Sequence, residues 1–385
     1  MPQVEHRDDL ERSAHPVLPP RSWDRRLTRT LPRDLPRDLS QSAPSDTVIG
    51  WDLGGVHVKA ALIVGGRVRA VVQTACPLWR GLPALDGTLA GLPDWARGQA
   101  RHAVTMTGEL TDCFKDRTDG VGQIAGWAQA HLPGTVSIYA GRAGFVAPAA
   151  AEAAALDIAS ANWHATAALA GRSASEALLV DIGSTTADLI PIVAGRPAAS
   201  GYSDAERLET GELVYSGVVR TPLLALTDHA PFGGRRTRLM AETFATTADI
   251  YRLTGDLPEG ADQQHSADLK GKSNPESEIR LARMIGRDHR EGSTSAWRAL
   301  AEHFAEAQLR PLQDAAATLL SRPDLGAGAP LIVCGAGRFL AERLAHRLGR
   351  PHRAFTDLIA AHMTGEPEWA STCGPAVAVG LLAAL

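Results

Sequence analysis

The sequence predicts an α/β fold made of two related halves that face each other across a cleft. An apolar strand that ends in Asp-x-Gly occurs twice, at residues 47–54 and again at residues 176–183. Each copy is followed directly by a second apolar strand and a glycine turn. The rest of the body alternates helical and strand-like apolar patterns, which is typical of α/β architectures.

The two Asp-Gly copies align with each other without a gap. DLGGVHVKAALIVGGRV at residues 52–68 matches DIGSTTADLIPIVAGRP at residues 181–197, at an offset of 129 positions. Internal similarity of this kind indicates a duplicated structural unit. The unit here is a buried strand, an acidic residue, a glycine turn and a β-hairpin.

The remaining elements of the first half follow in chain order. Alternating apolar residues on both sides of Gly65-Gly66 predict a tight hairpin, because consecutive glycines suit the positive φ angles of a two-residue turn. Further strands are expected at residues 102–107 and 135–140, and helices at residues 119–131 and 148–170.

In the second half, a segment without a clear helix or strand pattern is followed by a mostly helical segment. Residues 203–290 combine glycine, proline and charge clusters, and are interpreted as a family-specific insertion. A long helix is expected from Ser295 to Leu320, with Pro311 beginning or kinking a helix. A strand at 330–337, a helix after it and a small-residue closing helix complete the chain.

Length and composition restrict the class of protein. The chain has 385 residues, which predicts two or three domains, and a formal net charge of -4, which argues against a general nucleic-acid binder. Its longest uncharged apolar run is too short to span a membrane. The four cysteines form no close pair, which favours neither a disulfide framework nor a zinc ribbon. We therefore expect a soluble, cytoplasmic protein.

The domain boundaries follow from these patterns. Residues 1–46 are rich in proline and arginine and lack a buried face, so a disordered extension without a secretory signal is expected there. The first domain is expected at residues 47–175 and the second at residues 176–385.

The residue types in the repeated unit suit phosphate chemistry. An aspartate at the end of a buried strand can hold a hydrated Mg²⁺, and the next glycine lets backbone N–H groups approach a phosphate closely. Lys59 is a compact charge suited to phosphate oxygens. Hydroxyls follow the second glycine, at Ser184, Thr185 and Thr186.

The motifs WDLGGVHVKAAL and VDIGSTTADLI resemble the two phosphate motifs of the acetate and sugar kinase, actin and heat-shock-chaperone ATPase superfamily. VCGAGRFLAERLA, with Gly335 and Gly337, is similar to its nucleoside-side glycine motif. The resemblance covers roughly residues 47–385. It implies two ribonuclease-H-like domains, as in actin and sugar kinases, around a central cleft.

Five further blocks narrow the resemblance: VTMTGELTDCF, ANWHATA, RLETGELVYSGVVRTPL, FATTADIYRLTGDLPE and SADLKGKS. They resemble the hydantoinase/oxoprolinase-related proteins linked to tetrahydromethanopterin-dependent one-carbon transfer, whose bacterial branch belongs to methylotrophs. The resemblance implies an alkyl transferase of methanofuran-type cofactor biosynthesis. Its reaction joins an aminomethyl-furanylmethyl diphosphate to the phenol of γ-glutamyltyramine, forming an aryl ether and releasing diphosphate.

That reaction assigns roles to residues of this chain. Asp52 and Asp181 are the expected metal-associated carboxylates, with Mg²⁺ as the cofactor and ATP use left open. The diphosphate cradle is expected at Gly54, Gly55, Gly183, Ser184, Thr185 and Thr186, with Lys59 and Lys272 neutralising its charge. The phenol has a pKa of about 10 and needs a base to accept its proton. Glu109, Asp188 and Asp268 are the alternatives for that base.

Other functions are compatible with the same residues. An ATP-dependent kinase or ATPase would use the same cleft, and the third glycine motif favours it. A non-catalytic scaffold of the one-carbon pathway would not need both cleft aspartates. The partners expected are small diphosphate and phenolic substrates, without nucleic acid or membrane, and the sequence leaves the oligomeric state open.

Overall fold

The computed structural model describes residues 46–363 and 367–385. The extension predicted over residues 1–46 therefore lies outside the described part except for its last residue. The strands are β1 Thr47–Gly54, β2 His57–Val64, β3 Arg67–Ala75, β4 Ala100–Thr107, β5 Gly134–Tyr139, β6 Phe145–Val146, β7 Glu176–Ile182, β8 Ala187–Val193, β9 Arg196–Pro197, β10 Leu213–Val214, β11 His229–Phe232, β12 Arg235–Arg238, β13 Leu331–Cys334 and β14 His352–Ala354.

The α-helices connect and cover these strands. They are α1 Pro83–Gly91, α2 Arg117–His131, α3 Ala155–Ile158, α4 Asn162–Gly171, α5 Asp204–Thr210, α6 Thr247–Thr254, α7 Asn274–Met284, α8 Thr294–Leu320, α9 Arg338–Arg347, α10 Phe355–Leu358, α11 Pro367–Thr372 and α12 Gly374–Ala383. None of the helices in the described residues is long and apolar enough to cross a membrane.

Two sheets repeat one topology, which confirms the predicted α/β fold with two ribonuclease-H-like domains. The first has the order β3-β2-β1-β4-β5-β6, and β1 is antiparallel to β2 but parallel to β4. In the second, β10-β8-β7-β13-β14, β7 is antiparallel to β8 and parallel to β13. Each Asp-Gly loop therefore joins two neighbouring interior strands of its own sheet, β1 to β2 in the first and β7 to β8 in the second.

The closing helix α12 packs on the first sheet although it ends the chain. A Cβ atom on Gly50 of β1 would lie 2.0 Å from the carbonyl oxygen of Ala376, and one on Gly380 would lie 3.2 Å from the backbone nitrogen of Gly50. Only glycine at both positions lets the helix and strand backbones approach this closely. The small residues of the last segment therefore complete the core between the two sheets.

Two expectations about helices require correction, and a third is confirmed. The helix expected over residues 148–170 is broken into α3 and α4, because Ser160 between them has a positive φ of 53°. Pro311 lies inside the continuous helix α8 and does not begin one, since the buried Leu309 and Leu312 hold the helix against the core. The predicted closing helix is confirmed as α12, and the short helix α11 precedes it.

Candidate active site in the cleft

The first Asp-Gly loop places a buried carboxylate beside a lysine. Asp52 and Lys59 are cross-strand partners in the β1–β2 pair, and Lys59 Nζ lies 3.3 Å from Asp52 Oδ2. The other carboxylate oxygen, Oδ1, is buried with no hydrogen-bond partner. Burial would lower the pKa of Lys59, but Asp52, Cys373 and Asp181 outweigh it and raise that pKa. The lysine charge therefore acts on both loops.

The second Asp-Gly loop pairs two acids where the first pairs an acid with a base. Asp181 and Asp188 are cross-strand partners in the β7–β8 pair. Burial raises the pKa of Asp181 to about 7, and the negative charge of Asp188 adds to the increase while Lys59 opposes it. A carboxyl group in this state releases its proton readily when a cation arrives.

A buried arginine compensates the second acid. Arg207 of α5 donates from Nη1 to Asp188 Oδ1 at 2.5 Å, and its guanidinium stacks 4.8 Å from the centre of the Trp163 ring. Burial still raises the pKa of Asp188. Because Asp188 is held by this ion pair, it is less available than the other candidate bases in the cleft.

Backbone hydrogen bonds hold the second loop in place. The nitrogen of Val218 donates to Gly183 O at 3.0 Å, and the nitrogens of Val219 and Arg220 donate to Ser184 O at 3.1 and 2.9 Å. The Ser184 and Thr185 hydroxyls make a long, 3.5 Å contact with each other. Ser184, Thr185 and Thr186 are half-buried, and a Cβ on Gly183 would meet nothing closer than 3.5 Å. The loop has both donors and space for an anion.

Arg220 is a cleft residue that sequence reasoning missed. Its exposed side chain has no ion-pair partner within residues 46–363 and 367–385, although its charge helps burial and Lys59 lower the pKa of His57 to about 3. An arginine next to both glycine loops suits a phosphate, because its fork can donate two hydrogen bonds. The signal was an arginine inside the block RLETGELVYSGVVRTPL.

Glu109 lies in the turn after β4, beside the first loop. Gly108 donates to Leu53 O at 3.1 Å, which attaches this turn to the end of β1. The side chain is 1% exposed, and burial raises the pKa of Glu109 to about 7. Ser160 donates to its Oε1 at 2.9 Å, while Oε2 is buried without a partner. This carboxyl group can accept a proton near neutral pH.

Asp268 and Lys272 lie in the insertion and form ion pairs with other residues of the insertion, not with the two Asp-Gly loops. Asp268 pairs with Arg280 at 3.1 Å, and Lys272 pairs with Asp262 at 3.1 Å. Burial would raise the pKa of Asp268, but the Lys270 backbone N–H and Arg280 outweigh it and hold that pKa low. Leu269, between Asp268 and Lys272, has a φ of 57° and is 78% exposed.

The insertion nevertheless reaches the first half. Gln263 donates from Nε2 to the carbonyl oxygen of Gln73 at 3.1 Å, and Gln264 donates to that of Val56 at 3.3 Å. Val56 directly follows the first glycine pair. The loop that carries these glutamines therefore crosses the cleft next to the first phosphate motif.

The third glycine motif packs against Asp181. Gly335 has a φ of 87°, and a Cβ there would lie 2.4 Å from Asp181 Oδ1. The nitrogen of Gly337 donates to Ile182 O at 2.8 Å. Both glycines are therefore required for close contact with the end of β7, whether or not a nucleoside binds beyond them.

The donor set fits a magnesium ion that keeps most of its ligands outside the protein. No cluster of three or more metal-ligating side chains occurs in the described ranges. Mg²⁺ typically takes one or two carboxylates and completes its shell with water and substrate phosphates. Asp52, with its unpartnered buried Oδ1, and Asp181 would supply those carboxylates.

A family profile described as Hydantoinase/oxoprolinase matches residues 101–363. This chain belongs to the hydantoinase/oxoprolinase family. It is 28% identical over 241 residues to the (4-{4-[2-(γ-L-glutamylamino)ethyl]phenoxymethyl}furan-2-yl)methanamine synthase of Methanocaldococcus jannaschii, covering 63% of this chain and 72% of that one. It is 40% identical over 91 residues to the Methanococcus vannielii synthase of the same name, covering 24% of this chain and 41% of the relative.

A solved structure shares the fold of this family member. The nucleotide-free structure of acetone carboxylase, an enzyme of ATP-dependent acetone carboxylation, superimposes on this chain with a TM-score of 0.55 at 11% sequence identity. The match covers 87% of this chain and 70% of that one. At this identity the likeness concerns the fold alone.

Proposed function

We propose that this chain is an alkyl transferase of methanofuran-type cofactor biosynthesis. It joins an aminomethyl-furanylmethyl diphosphate to the phenol of γ-glutamyltyramine, or of a close analogue, and releases diphosphate. The similarity to the two archaeal synthases supports the substrate class. The mechanism rests on Glu109, a buried carboxyl group whose pKa is raised to about 7, together with the anion donors of the second Asp-Gly loop.

The diphosphate is the group that the cleft residues recognise. Ser184 and Thr185 donate from their hydroxyls, and Arg220 donates from its guanidinium to the leaving oxygens. Mg²⁺, held by Asp52 and Asp181, would neutralise part of the diphosphate charge when bound. These donors stabilise charge that grows as the carbon–oxygen bond breaks, so they favour the transition state over the bound substrate.

Glu109 is the base that we favour among the three alternatives. The electron-rich furan stabilises the positive carbon that forms when diphosphate leaves, and the phenol oxygen then attacks that carbon. The phenolic proton goes to Glu109 Oε2, which has no other partner. Asp188 and Asp268 are each held by an arginine, which makes them weaker candidates for this role.

The test is an incubation of purified protein with Mg²⁺, γ-glutamyltyramine and the furanylmethyl diphosphate, with and without ATP, followed by mass spectrometry. We expect the ether and free diphosphate in both arms, and at least about a hundredfold loss of ether in Glu109→Gln. Arg235→Gln on the exposed β11–β12 hairpin is the control and should retain full activity. Ether formation by Glu109→Gln at the wild-type rate would contradict the assignment of the base.

A kinase or ATPase of the same superfamily is the second candidate, favoured by the Gly335 and Gly337 motif beside Asp181. It predicts ADP in the ATP arm together with a phosphorylated acceptor and no ether. A scaffold predicts neither product and no effect of Asp52→Ala or Asp181→Ala on partner binding.

A further inference from the structure

A chain of polar contacts crosses the cleft between Glu109 and the second half of the molecule. Ser160 Oγ lies 2.9 Å from Glu109 Oε1 and 3.2 Å from Asp204 Oδ2. Asp204 also accepts from Arg117 at 3.4 Å and from Arg207 at 3.1 Å. Glu109 and Ser160 are buried, whereas the Asp204 side chain is 21% exposed. The contacts therefore lead from a buried carboxyl group towards water.

The number of hydrogens available at Ser160 indicates which carboxyl group is protonated. A serine hydroxyl has one hydrogen to donate, yet two carboxylate oxygens lie within hydrogen-bond distance of Ser160. Both contacts become hydrogen bonds only when one carboxyl carries a proton and donates to the serine oxygen. Glu109 is the suitable holder, because Asp204 already faces two guanidinium groups.

The backbone fixes the serine in this position. Ser160 has a φ of 53°, a region that non-glycine residues rarely adopt. Residues held in such conformations often occur at functional sites, where the surrounding structure keeps them in place. Here the conformation breaks the expected helix at the point where the hydroxyl contacts both acids.

We propose that Ser160 is the proton-transfer residue that connects Glu109 to Asp204 and thus to water. This inference rests on the proposed function, in which the phenol oxygen bonds to the furanylmethyl carbon and the bond to diphosphate breaks. The phenolic proton reaches Glu109 Oε2, and the carboxyl group then turns about its last torsion, which is broad and two-fold. Glu109 donates to Ser160 Oγ as the serine hydrogen passes to Asp204 Oδ2, which releases it to water and regenerates the base.

Burial, one hydroxyl group and two charged groups set the proton affinity of Glu109. Burial raises its pKa most, the Ser160 hydrogen bond lowers it, Asp204 on α5 raises it and Arg117 on α2 lowers it. Replacing Ser160 by glycine should therefore raise the pKa of Glu109. Replacing Asp204 by asparagine should lower it. These opposite shifts test whether both side chains interact with Glu109.

The first experiment needs no substrate. Carboxyl NMR titration of ¹³C-labelled, ligand-free protein measures the midpoint for Glu109 in wild type, Ser160→Gly and Asp204→Asn. Ala194→Gly is the matched control, because Ala194 also has a positive φ, of 49°, but lies in the second hairpin. We expect an upward shift, a downward shift and no shift, respectively. An unmoved midpoint in both Ser160→Gly and Asp204→Asn would overturn the proposal even if the wild type formed no ether.

The second experiment separates the first turnover from later ones by rapid quench. Ser160→Gly should form ether in the first turnover at the wild-type rate, at a pH where Glu109 starts ionised. Later turnovers should slow by about tenfold or more, because the base is not regenerated. Equal slowing of the first and later turnovers, or no slowing of either, would show a merely structural role. Absence of ether in the wild type would refute the proposed function, and the titration would then decide the inference alone.

Discussion

The two Asp-Gly loops occupy equivalent places in the two sheets but neutralise their buried acids differently. In the first, the cross-strand partner of Asp52 is Lys59; in the second, the cross-strand partner of Asp181 is Asp188. Opposite charges across a strand pair stabilise it and like charges destabilise it. The second loop therefore depends on an outside arginine, Arg207, and retains a carboxyl group with a pKa of about 7.

We interpret this difference as a specialisation of the two copies of the duplicated unit. The first loop has no free space at its first glycine, since a Cβ on Gly54 would lie 2.8 Å from the carbonyl oxygen of His57. The second copy has free space at Gly183 and three half-buried hydroxyl residues beside it, Ser184, Thr185 and Thr186. We interpret the first loop as a source of charge and the second as the anion cradle.

The largest effect is expected from the two aspartates themselves. Asp181→Asn should reduce ether formation by about a hundredfold to a thousandfold, because diphosphate loses metal-assisted charge stabilisation. It should fold as well as the wild type at neutral pH, since asparagine matches the protonated acid in shape. Asp52→Asn should lose activity and also stability, because it leaves half-buried Lys59 without its carboxylate. Steady-state kinetics and urea unfolding test both variants, and equal stability for the two would contradict the comparison.

The next effect concerns the arginine that the second copy requires. Arg207→Met should reduce the free energy of unfolding by about 3 to 5 kcal/mol, because it leaves Asp188 buried and unpaired. The double variant Arg207→Met/Asp188→Asn should recover most of that loss. Urea denaturation of the two variants measures the difference. A double variant no more stable than the single one would show that Arg207 acts through Asp204 or Trp163 instead.

The pH dependence of stability gives a smaller effect with a defined sign. The folded-state pKa values of Asp181 and Glu109 are raised to about 7, so the folded protein retains protons that the unfolded chain releases. Their stabilising contribution is complete below the unfolded-state pKa values and is lost as the pH rises through about 7. We expect urea unfolding to show stability that declines between about pH 4 and pH 7. Asp181→Asn/Glu109→Gln should flatten this decline, and an unchanged slope would contradict it.

The smallest structural effect is expected at the second glycine. Gly183→Ala should change the unfolding free energy by less than about 1 kcal/mol, because the added methyl meets no atom closer than 3.5 Å. Gly54→Ala should cost more, since its methyl would collide with the His57 backbone. Differential scanning calorimetry compares the two. If Gly183→Ala proves the more destabilising, the second loop is not the open one.

Much of the fold could be predicted from local patterns. The strands around both Asp-Gly loops and the hairpin at Gly65-Gly66, with φ values of 56° and 70°, agree with the structure because alternation and turn chemistry are local properties. The helix break at Ser160 could not be predicted, since a serine in left-handed backbone geometry has no sequence signature. The unbroken helix at Pro311 reflects tertiary packing that overrides local preference.

The candidate site shows the same division. The duplicated fold, the family and the two strand-end aspartates follow from the amino-acid pattern alone, because spacing along a strand is enough to place a residue at the strand end. The three-dimensional arrangement adds which acids are paired, that Arg220 contacts the second Asp-Gly loop and that Ser160 lies between Glu109 and Asp204. The physical reason is that burial and charge pairing depend on residues far apart in the chain: Glu109, Ser160 and Asp204 become neighbours only when the two halves meet.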